Sequence, residues 1–168
     1  MSFSITQTRP DLEEVLDLDS ICLREPGGHP LDIPAHRKKL EQSILRSEWG
    51  SVRRDGQLVA YAYLWPLVNS DWFVGGLLIH PRHRTAPTVS ALSRATADLL
   101  ENIDAHRLKS HVLRSNAASL QLHMRLGFEI EKESEIAIAF SANCAALLKR
   151  LRASRRLPAT RQPSALPI

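Results

Sequence analysis

Hydrophobic and polar positions along the chain switch repeatedly between a two-residue rhythm and a three-to-four-residue rhythm. Phe3 and Ile5 alternate with Ser4, Thr6 and Thr8, which predicts an edge strand over 3–9. Asp11 to about Leu23 reads as a helix with acidic residues in its first turns, where the dipole favours them. The run Glu25-Pro26-Gly27-Gly28-His29-Pro30 stops it, and Pro34 opens a second helix over about 35–47 with Leu40 and Ile44 on its apolar side. Asp55-Gly56 is a hairpin signal between strands near 50–53 and 57–65. In the second of these, Val59, Tyr61, Tyr63 and Trp65 are expected on one face and Leu58, Ala60, Ala62 and Leu64 on the other.

After a turn at Asn69-Ser70-Asp71, the apolar run Trp72–Ile79 predicts a buried strand. Its Gly75-Gly76 pair implies a bulge or a close approach by a ligand or second backbone, or equally tight helix-on-sheet packing. From Thr88 to about Ala105 the rhythm is helical, with Val89, Leu92, Thr96, Leu99, Leu100 and Ile103 on one stripe. Thr85 is the expected N-cap and Pro87 fits the first turn. Leu108–Arg114 predicts another strand. Asn116 caps a helix running to Leu126, and Gly127 is its expected left-handed terminus. Glu129–Phe140 reads as a final strand pair with Ile136, Ile138 and Phe140 on one face, and residues 143–151 as a closing helix. The order β-α-α-β-β-β-α-β-α-β-β specifies an α/β layered domain with a mixed sheet. Residues 1–152 are expected to form one domain, and the basic, proline-containing segment 153–168 a disordered tail.

Composition narrows this little. With 168 residues, 43% of them hydrophobic, the chain can bury one substantial core and not two. It has no run of some 18 apolar residues and no basic-then-apolar leader at its start, so neither a membrane span nor secretion is expected. Cys22 and Cys144 are too few for a disulfide framework or a zinc site; they read as free thiols of a cytoplasmic protein without a metal. The net charge of +4 is carried by the tail. Residues 149–168 hold six of the 22 Lys/Arg and no acid, so residues 1–148 carry 16 basic against 18 acidic groups, a net −2. Such a body is not a nucleic-acid surface.

Chemistry enters at Leu77-Leu78-Ile79-His80-Pro81-Arg82-His83-Arg84-Thr85-Ala86-Pro87-Thr88-Val89, a strand feeding a helix through a basic loop. The first N–H groups of a helix lack internal partners and sit at the positive end of its dipole, where a phosphate can bind. Arg84 would add a charged fork to the same anion. Among the other polar groups, His111 reads first as a packing or solvent-facing residue of the strand near 108–114, and second as a general base. Asp71 reads as a turn residue.

Together with Asn116-Ala117-Ala118-Ser119-Leu120-Gln121-Leu122-His123-Met124-Arg125-Leu126-Gly127-Phe128, that stretch resembles the GCN5-related N-acetyltransferase (GNAT) family over about residues 57–128. The resemblance implies a GNAT-like, mostly antiparallel central sheet flanked by helices. It implies transfer of an acetyl group from acetyl-CoA to an amine by direct attack. Coenzyme A would lie on Leu77, Leu78 and Ile79 with its pantetheine arm, and on Arg84, Thr85, Ala86, Thr88 and Val89 with its pyrophosphate. Asn116 and Ser119 would flank the arm, and His123 would be the general acid. Two residues depart from the family pattern. Its loop glycines are replaced here by Thr85, Pro87 and Val89, and its helix tyrosine by His123. These departures give a second expectation, a non-catalytic acyl-CoA sensor or interaction module. A third is an acyltransferase using longer chains from a carrier protein. The partner expected is an amine, small molecule or protein, with a homodimer as one assembly and no nucleic acid or membrane involved.

Overall fold

The computed structural model describes residues 3–25 and 28–153. The expected tail from 154 onward, and Pro26-Gly27 of the expected stop, lie outside the described residues. The chain order is β1 (Phe3–Thr6), α1 (Leu12–Cys22), α2 (Ile33–Ile44), β2 (Glu48–Arg54), β3 (Gln57–Pro66), β4 (Asp71–Ile79), α3 (Ala86–Asn102), β5 (Arg107–Leu113), α4 (Ala117–Leu126), β6 (Glu129–Glu133), β7 (Ala137–Asn143) and α5 (Cys144–Ala153). A single 3₁₀ turn, Pro81–His83, precedes α3. The seven strands form one sheet in the order β1-β2-β3-β4-β5-β7-β6, antiparallel throughout except for β4 beside β5.

Local chemistry sets the helix ends. Asp11 accepts from Glu13 N at 2.9 Å while Glu14 reaches back to Asp11 N, closing a capping box on α1. Asp32 accepts from Ala35 N at 3.0 Å and starts α2 with Pro34 in its first turn, two residues earlier than expected.

Helices cover both sheet faces. α1 and α2 lay Val15, Leu16, Leu18, Leu40 and Ile44 over Trp49, Leu58, Tyr61 and Tyr63. α3 covers the other face, with Ala91, Leu92 and Ala95 on Val52, Val59, Ala60 and Ala62, and further along meets α5, β5 and β7 around Phe140. Beneath α1 and α2 a buried polar network ties three elements together. Asp19 accepts from the Tyr61 hydroxyl and lies 2.7 Å from His36 Nε2. Burial raises the Asp19 carboxyl above its usual range despite both partners. At the rim, Arg53 holds Glu14 through two bonds of 2.5 Å, which lowers the Glu14 pKa.

Three sequence expectations are corrected. The β2–β3 ladder slips between Val52 and Arg53, leaving Val59 as an extra residue. Val59 therefore packs with Ala60 and Ala62 under α3, while Leu58 joins Tyr61 and Tyr63 under α1. Ile136 lies before β7, not in it, and is 73% exposed. Val89, placed on the apolar stripe of α3, is 47% exposed, because the stripe runs through Thr88, Ala91, Leu92 and Ala95.

Candidate active site

The central feature is a parallel pair that comes apart. β4 and β5 are in register only at Asp71–Arg107, Trp72–Leu108 and Phe73–Lys109. From Val74 onward β4 stays on β3 and from Ser110 onward β5 stays on β7, so the two strands separate as a wedge. Each then presents an edge of backbone N–H and C=O groups with no strand beside it, which an extended ligand can satisfy. A bulge accompanies the split. The β3–β4 register shifts between Tyr63 and Leu64, so that Tyr63 faces Gly76 and Leu64 faces Val74, with Gly75 left over. The bulge reading of the glycine pair is the observed one. A Cβ on Gly75 would lie 2.1 Å from Tyr63 Cε2 and 2.4 Å from Trp65 Cζ3, so the rings of β3 rest directly on the β4 backbone.

At the open end of the wedge, β4 finishes with His80 N donating to Val59 O at 2.8 Å. The 3₁₀ turn follows, with His80 Nδ1 accepting from Arg82 N at 3.1 Å. Burial lowers the His80 pKa, and nearby His83 and Arg82 push the same way. Thr85 occupies the N-cap position of α3 without capping it; its hydroxyl instead lies 3.1 Å from that of Thr88. Thr85 N is engaged by His83 O at 2.7 Å and Val89 N by Thr85 O at 2.9 Å. Pro87 has no N–H. That leaves Ala86 and Thr88 as the first-turn donors of a 17-residue helix beside three basic side chains, Arg82, His83 and Arg84. Thr88 is fully buried, with its hydroxyl turned to that of Thr85. Arg84 is exposed and its Nε donates back to Ile79 O at 3.5 Å.

The other wall carries α4. Asn116 Oδ1 accepts from Ser119 N at 3.1 Å, which caps the helix and leaves the amide NH₂ of Asn116 uncommitted by the cap. Gly127 has φ 78° and closes the helix with the N–H of Phe128 on His123 O at 3.0 Å. His123 stands one turn from Ser119. Its Nδ1 lies 2.7 Å from Ser119 O and its Nε2 2.9 Å from Ser110 Oγ, between the rings of Phe128 and Phe140 at 4.7 and 5.0 Å. A carbonyl only accepts, so Nδ1 carries the hydrogen and Nε2 accepts from the Ser110 hydroxyl. Burial lowers the pKa from 6.5, the Ser119 bond opposing it. Burial thus disfavours the imidazolium, the form that proton donation to a leaving thiolate uses, and both ring nitrogens are engaged within the protein. Ser110, its partner, escaped sequence reasoning, because a serine inside an alternating strand carries no mark of what it will face.

These residues lie within one segment. Residues 12–128 match the model of the acetyltransferase (GNAT) family. The chain belongs to that family. Solved structures show the same fold at low sequence identity. The PaiA N-acetyltransferase from Thermoplasma acidophilum, solved in complex with coenzyme A, superposes with a TM-score of 0.68 at 14% identity, over 85% of this chain and 99% of that one. The spermidine/spermine N-acetyltransferase SpeG from Vibrio cholerae gives 0.62 at 15% identity, over 88% and 97%. The Campylobacter jejuni N-acetyltransferase PseH, in complex with acetyl coenzyme A, gives 0.51 at 19% identity, over 67% and 77%. No curated protein matches the chain in sequence. In this GNAT chain no helix among the described residues is long and apolar enough to cross a membrane. Away from the wedge, Leu126, Gly127, Ser141, Ala146 and Arg150 help line a cavity of about 190 Å³ behind α5.

Proposed function

We propose that the chain is an N-acetyltransferase that passes the acetyl group of acetyl-CoA to an amine. The observation that carries this is the split of β4 from β5 at Phe73, opening beside an uncapped helix start among basic side chains. That pairing suits a ligand with an extended amide-bearing arm at one end and a diphosphate at the other. Structural relatives solved with coenzyme A or acetyl coenzyme A support it.

When bound, the donor supplies an acyl thioester. The chain's part is to hold and polarise. Backbone groups of Leu77, Leu78 and Ile79 pair with the arm on the edge of β4 that β5 has left. The N–H groups of Ala86 and Thr88, the hydroxyl of Thr85 and the Arg84 guanidinium receive the diphosphate, with Val89 beside it. Asn116 and Ser119 meet the arm from the α4 side. Backbone N–H groups at the Gly75 bulge face the carbonyl on which charge develops. Holding amine and thioester together supplies much of the rate. An unperturbed thiol has a pKa of about 8.5, so the departing thiolate would not need prior protonation and could take up the proton released by the amine. His123 then needs no acid role; it fixes Ser110 and braces α4 on β5.

A second reading, an acyl-CoA sensor without turnover, is favoured by Pro87, which removes a first-turn N–H. Calorimetry with coenzyme A and acetyl-CoA, followed by thiol release over an amine panel, separates the two. Binding with release supports the transferase. Binding without release supports the sensor, and no binding at millimolar ligand refutes both.

A further inference from the structure

The sheet face opposite α3 bears a row of rings that crosses the apex of the wedge. Tyr63 stacks on Trp49 at 4.5 Å and neighbours Trp65 at 6.0 Å. Trp65 stacks on Phe73 at 4.9 Å with 16° between planes, and Phe73 meets the edge of His111 at 5.2 Å. Phe73 is the last β4 residue paired to β5, and His111 lies two residues past its partner Lys109, so the Phe73–His111 contact spans the point where the strands part. α1 and α2 bury the start of this row, since Trp49 is 1% exposed, but Trp65 and Phe73 are only half-buried and His111 is exposed. Gly75 and Gly76 raise no side chain between these rings and the strand edge.

Polar groups in the row lack a hydrogen-bond partner among the described residues, the buried Trp49 Nε1 among them. The Tyr63 side chain is nine-tenths buried, its hydroxyl bonds none of the described residues, and burial, with Asp19 adding to it, holds its pKa up at about 12. The carboxylate that acts on Tyr63, Asp19, is bonded to Tyr61 and His36. Asp71 and Glu131 each lie 3.8 Å from Lys109 Nζ, and Glu131 lies 3.8 Å from Arg107 as well. The Arg46 guanidinium stands 5.2 Å above the Trp65 ring with no carboxylate partner among the described residues. A polycation would find no uncommitted carboxylate in this row and would face Arg46.

We infer that the acceptor is a primary amine on a flat, apolar body, an arylalkylamine, whose ring packs against the half-buried edge of the Trp65–Phe73 stack and whose nitrogen reaches the wedge past Tyr63. The inference rests on the transferase reading. The nitrogen of the neutral amine bonds to the acyl carbon, the carbon–sulfur bond breaks, and one amine proton ends on the departing sulfur, giving an amide and a free thiol. Edge-to-face contact with rigid rings supplies orientation at low entropic cost, and the Tyr63 hydroxyl can accept from the incoming N–H.

Thiol release by the full chain with acetyl-CoA tests this against 2-phenylethylamine, tryptamine, spermidine and an alanine-led peptide amide. The two arylalkylamines are expected to show kcat/KM at least tenfold above the other two. Trp65→Leu and Phe73→Leu, which keep apolar bulk and lose the flat face, are expected to raise the KM for 2-phenylethylamine at least fivefold and to leave that for acetyl-CoA within twofold. Preference for spermidine or the peptide, or an unchanged acceptor KM in both variants, overturns the inference while leaving the transferase standing. Calorimetry with coenzyme A on the same preparation marks the other failure. No binding, or binding with no release from any amine, overturns the transferase reading and this inference with it.

Discussion

Gly75→Ala isolates the contact on which the bulge depends. An alanine in a strand is ordinarily the better residue by about 0.5–1 kcal/mol, since glycine gives up more backbone freedom on folding. The φ of Gly75 is not in the left-handed region, so the backbone itself raises no objection. The objection is steric. The new methyl would sit 2.1 Å from Tyr63 Cε2, 2.4 Å from Trp65 Cζ3 and 2.7 Å from Tyr63 Cδ2. Neither ring can step back freely, because Tyr63 is stacked against buried Trp49 and Trp65 against Phe73. Overpacking of this kind costs about 1–3 kcal/mol, which outweighs the entropic gain. With the gain at about 0.5 kcal/mol the net cost is about 0.5–2.5 kcal/mol, and since each kcal/mol moves Tm by about 2–4 °C in a domain of this size, Tm should fall by about 1–10 °C. Thermal unfolding followed by circular dichroism reads this directly. The same substitution made with Tyr63→Leu should cost measurably less, because two of the three closest contacts are gone and only that with Trp65 remains. A Tm equal to or above that of the parent would refute the argument that the rings lie on the β4 backbone.

Other substitutions probe the loop and the buried groups. Pro87→Gly restores an N–H to the first turn of α3 and should tighten coenzyme A binding by a few-fold in calorimetry, as one added hydrogen bond of about 1 kcal/mol implies. Arg84→Ala should raise the KM for acetyl-CoA several-fold with kcat little changed; an unaltered KM removes Arg84 from the site. His123→Phe should leave the pH profile of kcat intact. The native pKa of His123 is depressed below 6.5, so the unfolded chain binds the extra proton between that value and 6.5, and stability is lost as pH falls through this window. In the His123→Phe variant that dependence, read from urea midpoints at pH 5 to 8, should flatten. Tyr61→Phe takes a donor from buried Asp19 and should cost about 1–3 kcal/mol in urea unfolding.

Sequence reasoning reached what short-range chemistry determines. Asp55-Gly56, Pro81, Asn116 and Gly127 each act within a turn of their own position, and the strand, loop and helix between Trp72 and Asn102 followed from them. Beyond that reach, expectation failed for identifiable reasons. Strict alternation assumes an unbroken ladder, and the slip at Val52–Arg53 turned Leu58 and Val59 to faces opposite those expected. Thr85 stands where a cap belongs, but its hydroxyl had a nearer partner in Thr88. That Ser110, thirteen residues away on β5, would meet His123 Nε2 could not be read from either residue's own neighbourhood. That β7 inserts between β5 and β6, and that α1 and α2 stop short of Phe73, are long-range outcomes that no local pattern encodes.

A crystal structure with coenzyme A bound would interrogate the proposed donor site atom by atom. The expected result is a diphosphate within hydrogen-bond distance of the Ala86 and Thr88 N–H groups and the Arg84 guanidinium, with the pantetheine arm running along β4 between Val74 and Ile79. Coenzyme A seated elsewhere, or a diphosphate held off by Pro87 and Val89 while the wedge stays unfilled, would contradict it.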